Sequence, residues 1–386
     1  MNTIETDKKY VANTYARFGI EIVSGKGAIL KDADGKEYID METGIAVNTF
    51  GTADDEWINA VTVQLKSFQH TSNLYYSKPC AELAELLCKK TRMKKVFFGN
   101  SGAEANECAI KAARKYAAEK KGEDYYTIIT LKNSFHGRTI STLAATGQDV
   151  FHQQFKPLTP GFVHVEANNI AELEKTVAEN KIAAIMFETV QGEGGVLPLK
   201  NEFVQAMKKI ADENDILLIA DEVQTGNGRT GMLYGYMNYG IVPDIVTTAK
   251  GLGGGLPLGA TMLGEKLENV YGPGDHGSTF GGNPVACAGA VNILSRITDD
   301  VLEGVKAKSK IIFDTLTGAK GIKSVTGMGL MIGVETEKPA SDVIAECMKN
   351  GVLVIKAKNK VRLLPPLNIE YEQLVKALDV IKTACK

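Results

Sequence analysis

The chain has 386 residues, 44% of them hydrophobic, so it can bury a large core and exceeds the size of one simple domain. Lysine and arginine number 44 and aspartate and glutamate number 46, and the resulting net charge of -2 gives no electrostatic reason to expect nucleic acid or an anionic membrane as a partner. The first residues lack the apolar stretch of a signal peptide, and no apolar run is long enough to span a bilayer, so we expect a soluble, cytoplasmic protein.

The first elements predicted along the chain are a hairpin and two helices. Two short apolar runs flank an Asp-Gly pair within Gly27–Asp40, which is typical of a hairpin. Helical periodicity follows over Asp55–Phe68 and Pro79–Thr91. Because the hairpin precedes the region in which strands and helices alternate, we expect residues 1–50 to pack with the smaller C-terminal unit.

Between residues 51 and 283, short apolar strands alternate with helices. Ile182–Phe187 and Ile216–Ala220 are apolar throughout, as strands are when helices cover both faces of a sheet. We therefore expect an α/β fold with a large domain over 51–283, whose mainly parallel mixed sheet gathers ligands at the carboxyl ends of its strands. The other predicted elements are the strands Val96–Phe98, Tyr126–Leu131, Ile245–Thr248 and Ala260–Leu263 and the helices Gly102–Lys121, Ile170–Asn180 and Glu202–Asn214.

The composition changes after Asn283, where a smaller α+β domain over 284–386 is predicted. Its elements are the helices Pro284–Arg296 and Val301–Thr317, a glycine-punctuated strand over Gly327–Thr336, a further helix, two short strands and a terminal helix over Glu370–Ala384. The six cysteines form no CxxC pair and the five histidines show no HExxH or HxH spacing, so we expect no metal site.

Lys250 is the first candidate for chemistry. It follows the strand Ile245–Thr248 and precedes a run of glycines, which let the backbone approach a ligand closely. Burial at a strand end lowers the pKa of an amine and favours imine formation with a carbonyl. Taken alone, such a lysine is more often a strand-end residue that reaches for solvent.

Two other strand ends carry polar groups. Asp221 follows Ile216–Ala220, and its carboxylate needs a partner such as a pyridinium nitrogen, although a helix cap or a magnesium ligand is an open alternative. Val96–Phe98 leads into Ser101 and small residues at a helix start, which suits a bound anion. Ser101 can equally be an N-cap with Glu104 completing a capping box, and the two roles are compatible.

An amine, a carboxylate and an anion cradle match the three groups that a phosphorylated pyridine aldehyde presents. No GxxxxGK[ST] and no convincing GxGxxG follows a strand, which argues against nucleotide triphosphates and dinucleotides. The competing interpretation is a nucleotide-binding or scaffolding α/β protein whose strand-end residues are structural.

Longer motifs run through the chain from the first strand end to the C-terminal unit. They are NSGAEANE (Asn100–Glu107), SFHGRT (Ser134–Thr139), ETVQGEGG (Glu188–Gly195), ADEVQTGNGRTG (Ala220–Gly231), TAKGLGGGLPLGA (Thr248–Ala260), STFGGNP (Ser278–Pro284) and VRLLPPL (Val361–Leu367). With these motifs the chain resembles the class III pyridoxal-phosphate-dependent aminotransferases from about Val23 onward, in order and without large gaps. The resemblance implies a fold type I transferase that works as a homodimer with shared active sites.

The resemblance also implies the cofactor, pyridoxal 5'-phosphate, and its ligands. Lys250 would hold it as an imine and then shuttle a proton, Asp221 would pair with its pyridine nitrogen, and Phe135 would stack on its ring. The implied cofactor-binding residues are Ser101, Gly102, Ala103, Phe135, His136, Glu188, Asp221, Val223, Gln224, Lys250 and, reaching the neighbouring subunit's cofactor, Thr279.

Two arginines match family residues that bind substrate carboxylates. Arg138 would grip the carboxylate of an acyl-ornithine, and Arg362 would receive 2-oxoglutarate, with Glu193 as its guard; a plain ion pair is the alternative. Ser278, beside Thr279, completes the implied substrate set.

The implied reaction moves the δ-amino group of N2-acetylornithine to 2-oxoglutarate, which gives the acetylated semialdehyde and glutamate. Ornithine, succinyl-diaminopimelate and 4-aminobutyrate are rival donors. An aminomutase or a decarboxylating relative is a further alternative, since a fold does not fix a function.

One segment departs from the family pattern. Where relatives have a stretch that contains histidine and proline, Thr49–Trp57 reads TFGTADDEW. We expect Trp57 to pack rather than react.

Overall fold

The computed structural model describes residues 1–386, and none of its helices has both the length and the apolar character that a bilayer span requires. The helices are α1 (Thr3–Tyr10), α2 (Thr43–Ala46), α3 (Asp55–Ser67), α4 (Lys78–Thr91), α5 (Gly102–Lys121), α6 (Ile140–Ala145), α7 (Ile170–Glu179), α8 (Asn201–Glu213), α9 (Pro284–Arg296), α10 (Asp299–Leu316), α11 (Ala340–Lys349) and α12 (Tyr371–Cys385). The strands are β1 (Ile22–Lys26), β2 (Ile29–Asp32), β3 (Glu37–Asp40), β4 (Lys95–Gly99), β5 (Thr127–Leu131), β6 (Phe162–Val165), β7 (Ile182–Phe187), β8 (Val190–Gln191), β9 (Leu197–Pro198), β10 (Leu217–Asp221), β11 (Ile245–Thr248), β12 (Gly259–Leu263), β13 (Ile322–Met328), β14 (Met331–Thr336), β15 (Val352–Leu353), β16 (Ile355–Ala357) and β17 (Lys360–Leu363).

A seven-stranded sheet forms the centre of the larger part of the chain, in the order β4-β12-β11-β10-β7-β5-β6. Its strands run parallel except β12, which is antiparallel to both of its neighbours. The predicted mainly parallel mixed sheet is therefore confirmed. Strands β7, β10, β11 and β12 are buried along their whole length.

The two faces of this sheet carry separate apolar cores. In β10, Leu218 packs into the core that holds Phe203 and Met207 of α8, whereas Leu217 and Ile219 pack into the core that α5 covers. Side chains alternate between the faces of a strand, so a strand covered on both sides must be apolar at every position. This explains the unbroken apolar runs in the sequence.

The smaller α+β part of the chain includes the N-terminal strands. Strand β2 pairs antiparallel with both β1 and β3. Strand β3 also pairs in parallel with β15, which lies far along the chain. A second sheet, in the order β13-β14-β17-β16, is antiparallel throughout. Helices α10, α11 and α12 contribute to a core with these sheets that includes Ile39, Ile332, Val361 and Leu378.

Two predicted features differ from the structure. Gly327–Thr336, predicted as one strand, turns at Gly329, whose φ of +57° suits glycine, so β13 and β14 form a hairpin. Helix α9, predicted to open the unit 284–386, packs instead against α3 and α4, and its Ala290 and Leu294 join a core of the seven-stranded sheet. The division of the chain at residues 50 and 283 stays a prediction.

The carboxyl ends of the six parallel strands lie at one edge of the large sheet, where ligands of such folds bind. Asp221 ends β10, Glu188 directly follows β7, and Lys250 lies two residues beyond β11. Ser101 lies two residues beyond β4, and Phe135 lies four residues beyond β5. Parallel pairing therefore brings residues from five distant parts of the sequence to one side of the molecule.

Candidate active site

A cavity of about 670 Å³ opens at this edge of the sheet. Most of the residues predicted to bind a cofactor or substrate line it, and Arg362 and Glu193 lie next to it. The predicted residues in its lining are Ser101, Gly102, Ala103, Phe135, His136, Arg138, Glu188, Asp221, Val223, Gln224 and Lys250.

Lys250 lies in this cavity with a strained backbone. Its φ of +43° is in the left-handed region, which costs a residue other than glycine about 1–3 kcal/mol. Burial lowers the pKa of the amine to about 8, although Glu193, Asp221 and Glu188 favour its charged form. The amine therefore carries a larger neutral fraction near neutral pH than an ordinary lysine does, and a neutral amine can attack a carbonyl carbon.

Asp221 is fixed by donors from buried neighbours. Its Oδ2 accepts a hydrogen bond from Asn106 Nδ2 at 2.8 Å and lies 2.7 Å from His136 Nδ1, and its Oδ1 accepts from the Val223 amide at 3.1 Å. Asn106 is held in turn by the Thr247 hydroxyl, which donates to Asn106 Oδ1 at 2.7 Å. Oδ2 has two protein partners and Oδ1 has only one, so Oδ1 keeps accepting capacity for a protonated ring nitrogen in the cavity.

The N-terminus of α5 provides an anion site. Ser101 caps this 20-residue helix, and its Oγ accepts from the Glu104 amide at 3.1 Å. The amides of Gly102 and Ala103 make no hydrogen bond within the chain, and the helix dipole favours negative charge beside them. A Cβ on Gly102 would lie 2.6 Å from Val223 Cγ1, so a glycine here lets the loop after β10 approach the anion site.

Phe135 and Arg138 form a partly exposed wall of the cavity. The Phe135 ring meets Phe151 edge to face, with their centroids 5.7 Å apart. The Arg138 guanidinium lies 5.5 Å from the centroid of Phe135 and 5.6 Å from that of Phe151. Its cation has these aromatic faces but no carboxylate as partners, so it can receive the carboxylate of a ligand.

Arg362 and Glu193 form a largely buried ion pair beside the cavity. Arg362 Nη1 donates to Glu193 Oε1 at 2.6 Å and to Gln224 Oε1 at 3.0 Å, and its side chain is only 2% exposed. Burial opposes ionisation of Glu193, but the guanidinium holds the pKa of that carboxyl below its usual range. The buried Nε of Arg362 has no partner, so the guanidinium keeps a donor for a ligand.

Glu188 ties two loops of the site together. Its Oε1 accepts from the Phe135 amide at 2.9 Å and its Oε2 from the Gly192 amide at 3.2 Å. Burial raises the pKa of this carboxyl to about 7. Glu188 thus holds the loop that carries Phe135 next to the loop that carries Glu193.

Ser278 and Thr279 are not part of this cavity's lining. Ser278 reaches its edge, because Asn100 Nδ2 donates to Ser278 Oγ at 3.2 Å and Asn100 lines the cavity. Thr279 is exposed and lines a second cavity, of about 990 Å³, together with Tyr76. Within one chain, the structure does not bring Thr279 to Lys250.

Sequence reasoning missed three residues at the site. Asn106 is a buried polar residue on the alanine-rich face of α5, and that isolated polarity was the available signal. Asn227 is also buried, and its Nδ2 donates to the Ala249 carbonyl at 3.2 Å, directly before Lys250. Tyr15 lines the cavity from the segment that precedes β1, where the sequence offers no pattern that points to it.

The chain is similar to known aminotransferases along nearly its whole length. The family description "Aminotransferase class-III" matches residues 10–385. The acetylornithine aminotransferase of Haemophilus ducreyi is 49% identical over 379 residues, which cover 98% of this chain and 96% of that protein. The solved N-acetylornithine aminotransferase of Stenotrophomonas maltophilia has a TM-score of 0.86 at 34% identity, covering 99% of this chain and 98% of that one. The solved ornithine aminotransferase of Toxoplasma gondii has a TM-score of 0.95 at 31% identity, and the match covers 99% of this chain and 94% of that one.

The chain belongs to the class III aminotransferases, as the sequence motifs predicted. Enzymes of this class depend on pyridoxal 5'-phosphate, and a structure of the Toxoplasma gondii ornithine aminotransferase contains it at the active site. The cavity suits that group, because it offers free helix amides for a phosphate, an available carboxylate oxygen and a buried amine. The chain is therefore a pyridoxal-phosphate-dependent aminotransferase.

We expect Lys250→Met to stabilise the cofactor-free protein at pH 7. Folding lowers the pKa of Lys250 from 10.5 to about 8, so the unfolded state binds the extra proton between these values, and stability rises with pH across that window. Below about pH 8 the buried amine is protonated, and its desolvation destabilises the folded state by the full amount. Removal of the amine should therefore raise the free energy of unfolding by about 1–3 kcal/mol. Urea unfolding at pH 7 and pH 10.5 measures the gain, which should vanish at the higher pH.

The matched control is Lys376→Met, because Lys376 is exposed on α12. This variant should change stability by less than about 0.5 kcal/mol at either pH. A Lys250→Met protein that is no more stable at pH 7 than the wild type would show that the amine is not desolvated by folding.

Proposed function

We propose that this aminotransferase moves the δ-amino group of N2-acetyl-L-ornithine to 2-oxoglutarate, giving N-acetylglutamate 5-semialdehyde and glutamate. That step belongs to arginine biosynthesis. Relatives named acetylornithine aminotransferase, at 42–49% identity over nearly the whole chain, support this choice of donor.

The proposal rests on a difference between the two arginines: Arg362 has a carboxylate partner within the chain and Arg138 has none. Arg138 is exposed at the cavity wall and free of any carboxylate, whereas Glu193 neutralises the buried Arg362. A donor that reacts through its ω-amine must place its only carboxylate away from the reacting carbon, and Arg138 can bind it there. With Arg362 occupied, the α-carboxylate has no second site that would draw the wrong end of the donor into reach of Lys250.

The surroundings of Arg138 favour an acylated donor over free ornithine. Its neighbours are the rings of Phe135 and Phe151, and no acidic side chain pairs with it. The α-ammonium of free ornithine would lie near this guanidinium with no acidic side chain of the protein to pair with it. The amide of an acetylated donor is neutral and avoids that repulsion.

The protein's own groups perform the proton transfer and the positioning. Pyridoxal phosphate supplies an aldehyde that takes up an amino group and a ring that withdraws electrons. The neutral amine of Lys250 accepts the proton from the donor carbon that bears the reacting nitrogen. Asp221 would face the ring nitrogen with its carboxylate, and the Gly102 and Ala103 amides would hold the phosphate. In the second half-reaction Glu193 leaves Arg362, which then binds the α-carboxylate of 2-oxoglutarate.

We also propose a homodimer in which Thr279 reaches the neighbouring subunit's cofactor phosphate. The support is an exposed apolar surface around Thr279, since the exposed fractions of Leu74, Tyr76 and Phe280 are 88%, 105% and 61%. A contiguous exposed apolar surface on a folded chain marks an interface. Ser278 Oγ contacts Asn100 at the cavity edge, so this surface adjoins the active site.

A side-by-side assay of amino donors with 2-oxoglutarate tests the substrate. We expect kcat/KM for N2-acetylornithine to exceed that for ornithine by at least about tenfold, since the free α-ammonium is disfavoured, and to exceed the values for succinyl-diaminopimelate and 4-aminobutyrate. Lys250→Ala should abolish both transfer and the visible absorption of the bound cofactor. Preference for ornithine would reverse the assignment, and an alanine variant that stays active would refute the role of Lys250.

We expect Glu193→Gln to shift the preference between donors toward glutamate. The variant keeps the size of the side chain but removes the charge that masks Arg362, so α-carboxylates gain access to the guanidinium. The ratio of kcat/KM for glutamate to that for N2-acetylornithine should rise about three- to tenfold. Glu202→Gln, an exposed change on α8, is the control and should leave the ratio unchanged. An unchanged ratio in Glu193→Gln would mean that the ion pair is only structural.

Complementation between subunits tests the shared site. Thr279→Ala should weaken cofactor binding about tenfold, the value of one charge-assisted hydrogen bond. A mixed dimer of Thr279→Ala and Lys250→Ala subunits contains one site with both native residues, so half of its sites should bind the cofactor with wild-type affinity. Cofactor titration of tagged mixed dimers measures this. The proposal would be contradicted if the chain elutes as a monomer. It would also be contradicted if the mixed dimers bind the cofactor no more tightly than the Thr279→Ala dimer does.

A further inference from the structure

Three side chains hold alternate carbonyls on both sides of Lys250. Asn227 Nδ2 donates to the Ala249 carbonyl at 3.2 Å, directly before the lysine. The Thr49 hydroxyl donates to the Gly251 carbonyl at 2.8 Å, and Trp57 Nε1 donates to the Gly253 carbonyl at 3.1 Å. The last two donors come from the segment 49–57, in which this sequence departs from the family pattern.

We propose that Thr49 and Trp57 are positioning residues that hold the loop after Lys250, and through it the aim of the lysine side chain. Neither residue lines the cavity, so they act through the backbone and not by contact with a ligand. The inference rests on the proposed role of Lys250 as the residue that transfers the proton. We call Thr49 and Trp57 the loop clasp.

The loop clasp fits its target closely. A Cβ on Gly251 would lie 2.7 Å from Thr49 Oγ1. Trp57 Nε1 lies between two glycines. A Cβ added to Gly254 would lie 2.9 Å from this nitrogen, and a Cβ added to Gly289 would lie 2.7 Å from it. Because a Cβ at any of these glycines would overlap a donor atom, both donors can reach the loop carbonyls only while these positions have no side chain.

The segment that carries the loop clasp is itself anchored. Asp54 forms a two-pronged pair with Arg296 of α9, at 2.5 and 2.9 Å, and the Arg296 guanidinium lies 4.2 Å from the centroid of Phe50. The Thr49 carbonyl accepts from the Leu367 amide at 2.9 Å, beyond the strand that carries Arg362. The loop clasp therefore connects the Lys250 loop to a fixed helix and to the smaller part of the chain.

The strained conformation of Lys250 explains what the loop clasp does. A left-handed φ at a lysine persists only when surrounding contacts over-determine it. Release of the Gly251 carbonyl lets the backbone relax, so the amine is no longer held in one position within its buried site. Loss of position lowers the rate of proton transfer, and contact with water raises the pKa of the amine.

The test uses three variants of two threonines in one segment. Thr49→Val keeps the shape of the side chain and removes the donor to Gly251, and Thr49→Ser restores a hydroxyl. Thr52→Val is the matched control, because the buried Thr52 hydroxyl has no partner. Trp57→Phe removes the second donor and serves as an independent variant if Thr49→Val folds poorly.

Two measurements on the full-length enzyme are compared. The first is kcat and the KM for 2-oxoglutarate. The second is the pH midpoint for the rate at which stripped enzyme reloads pyridoxal phosphate, which requires the neutral Lys250 amine. We expect Thr49→Val and Trp57→Phe to lower kcat about three- to tenfold, to leave KM unchanged and to raise the pH midpoint, whereas Thr49→Ser and Thr52→Val match the wild type.

The outcomes separate the two proposals. If Thr49→Val and Trp57→Phe both match Thr52→Val in kcat and in pH midpoint, while the wild type is active, the loop clasp is overturned and the proposed function stands. A fall in kcat that Thr49→Ser does not reverse also overturns it, since the hydroxyl would then not be the group that matters. A wild-type enzyme that takes up no cofactor overturns the role of Lys250, and the loop clasp with it.

Discussion

The parallel pairing of β7, β10 and β11 is the constraint on which the rest of the structure depends. The register aligns Ala220 with Val246 on one side and with Phe187 on the other, so the carboxyl ends of the three strands are level. Asp221 and Lys250 leave the sheet at that shared edge. Side chains alternate with a period of two, so a slip of one residue would turn Asp221 to the other face and away from its donors.

Burial of Asp221 and Glu188 is tolerated because each accepts hydrogen bonds from other parts of the chain. Asn106 of α5 donates to Asp221 of β10, and Glu188 accepts from the loop that carries Phe135. Other polar groups at the cavity have no partner within the chain, among them the first amides of α5 and the Nε of Arg362. A polar group without a partner is costly when water cannot reach it, so these atoms indicate where a ligand can bind.

The sequence allowed prediction of what depends on local pattern. Apolar runs without a break identified the central strands, and a residue that follows such a strand must lie at the ligand-binding edge, which is why Lys250 and Asp221 could be assigned together. The hydrogen bond of Asn106 to Asp221 depends on the rotation of α5 against the sheet, which no local pattern contains. The turn at Gly329 and the docking of α9 likewise depend on packing between elements distant in sequence.

The ion pair between Arg362 and Glu193 connects two sheets that are built separately. Arg362 lies on β17, in the small antiparallel sheet, whereas Glu193 lies in the β8–β9 hairpin, whose two strands form a sheet of their own. Their 2.6 Å contact therefore depends on how the hairpin is placed against the small sheet. If the two residues act as proposed, a molecule in which this hairpin is misplaced would still capture its coenzyme, yet it would lose the ability to tell one carboxylate from another.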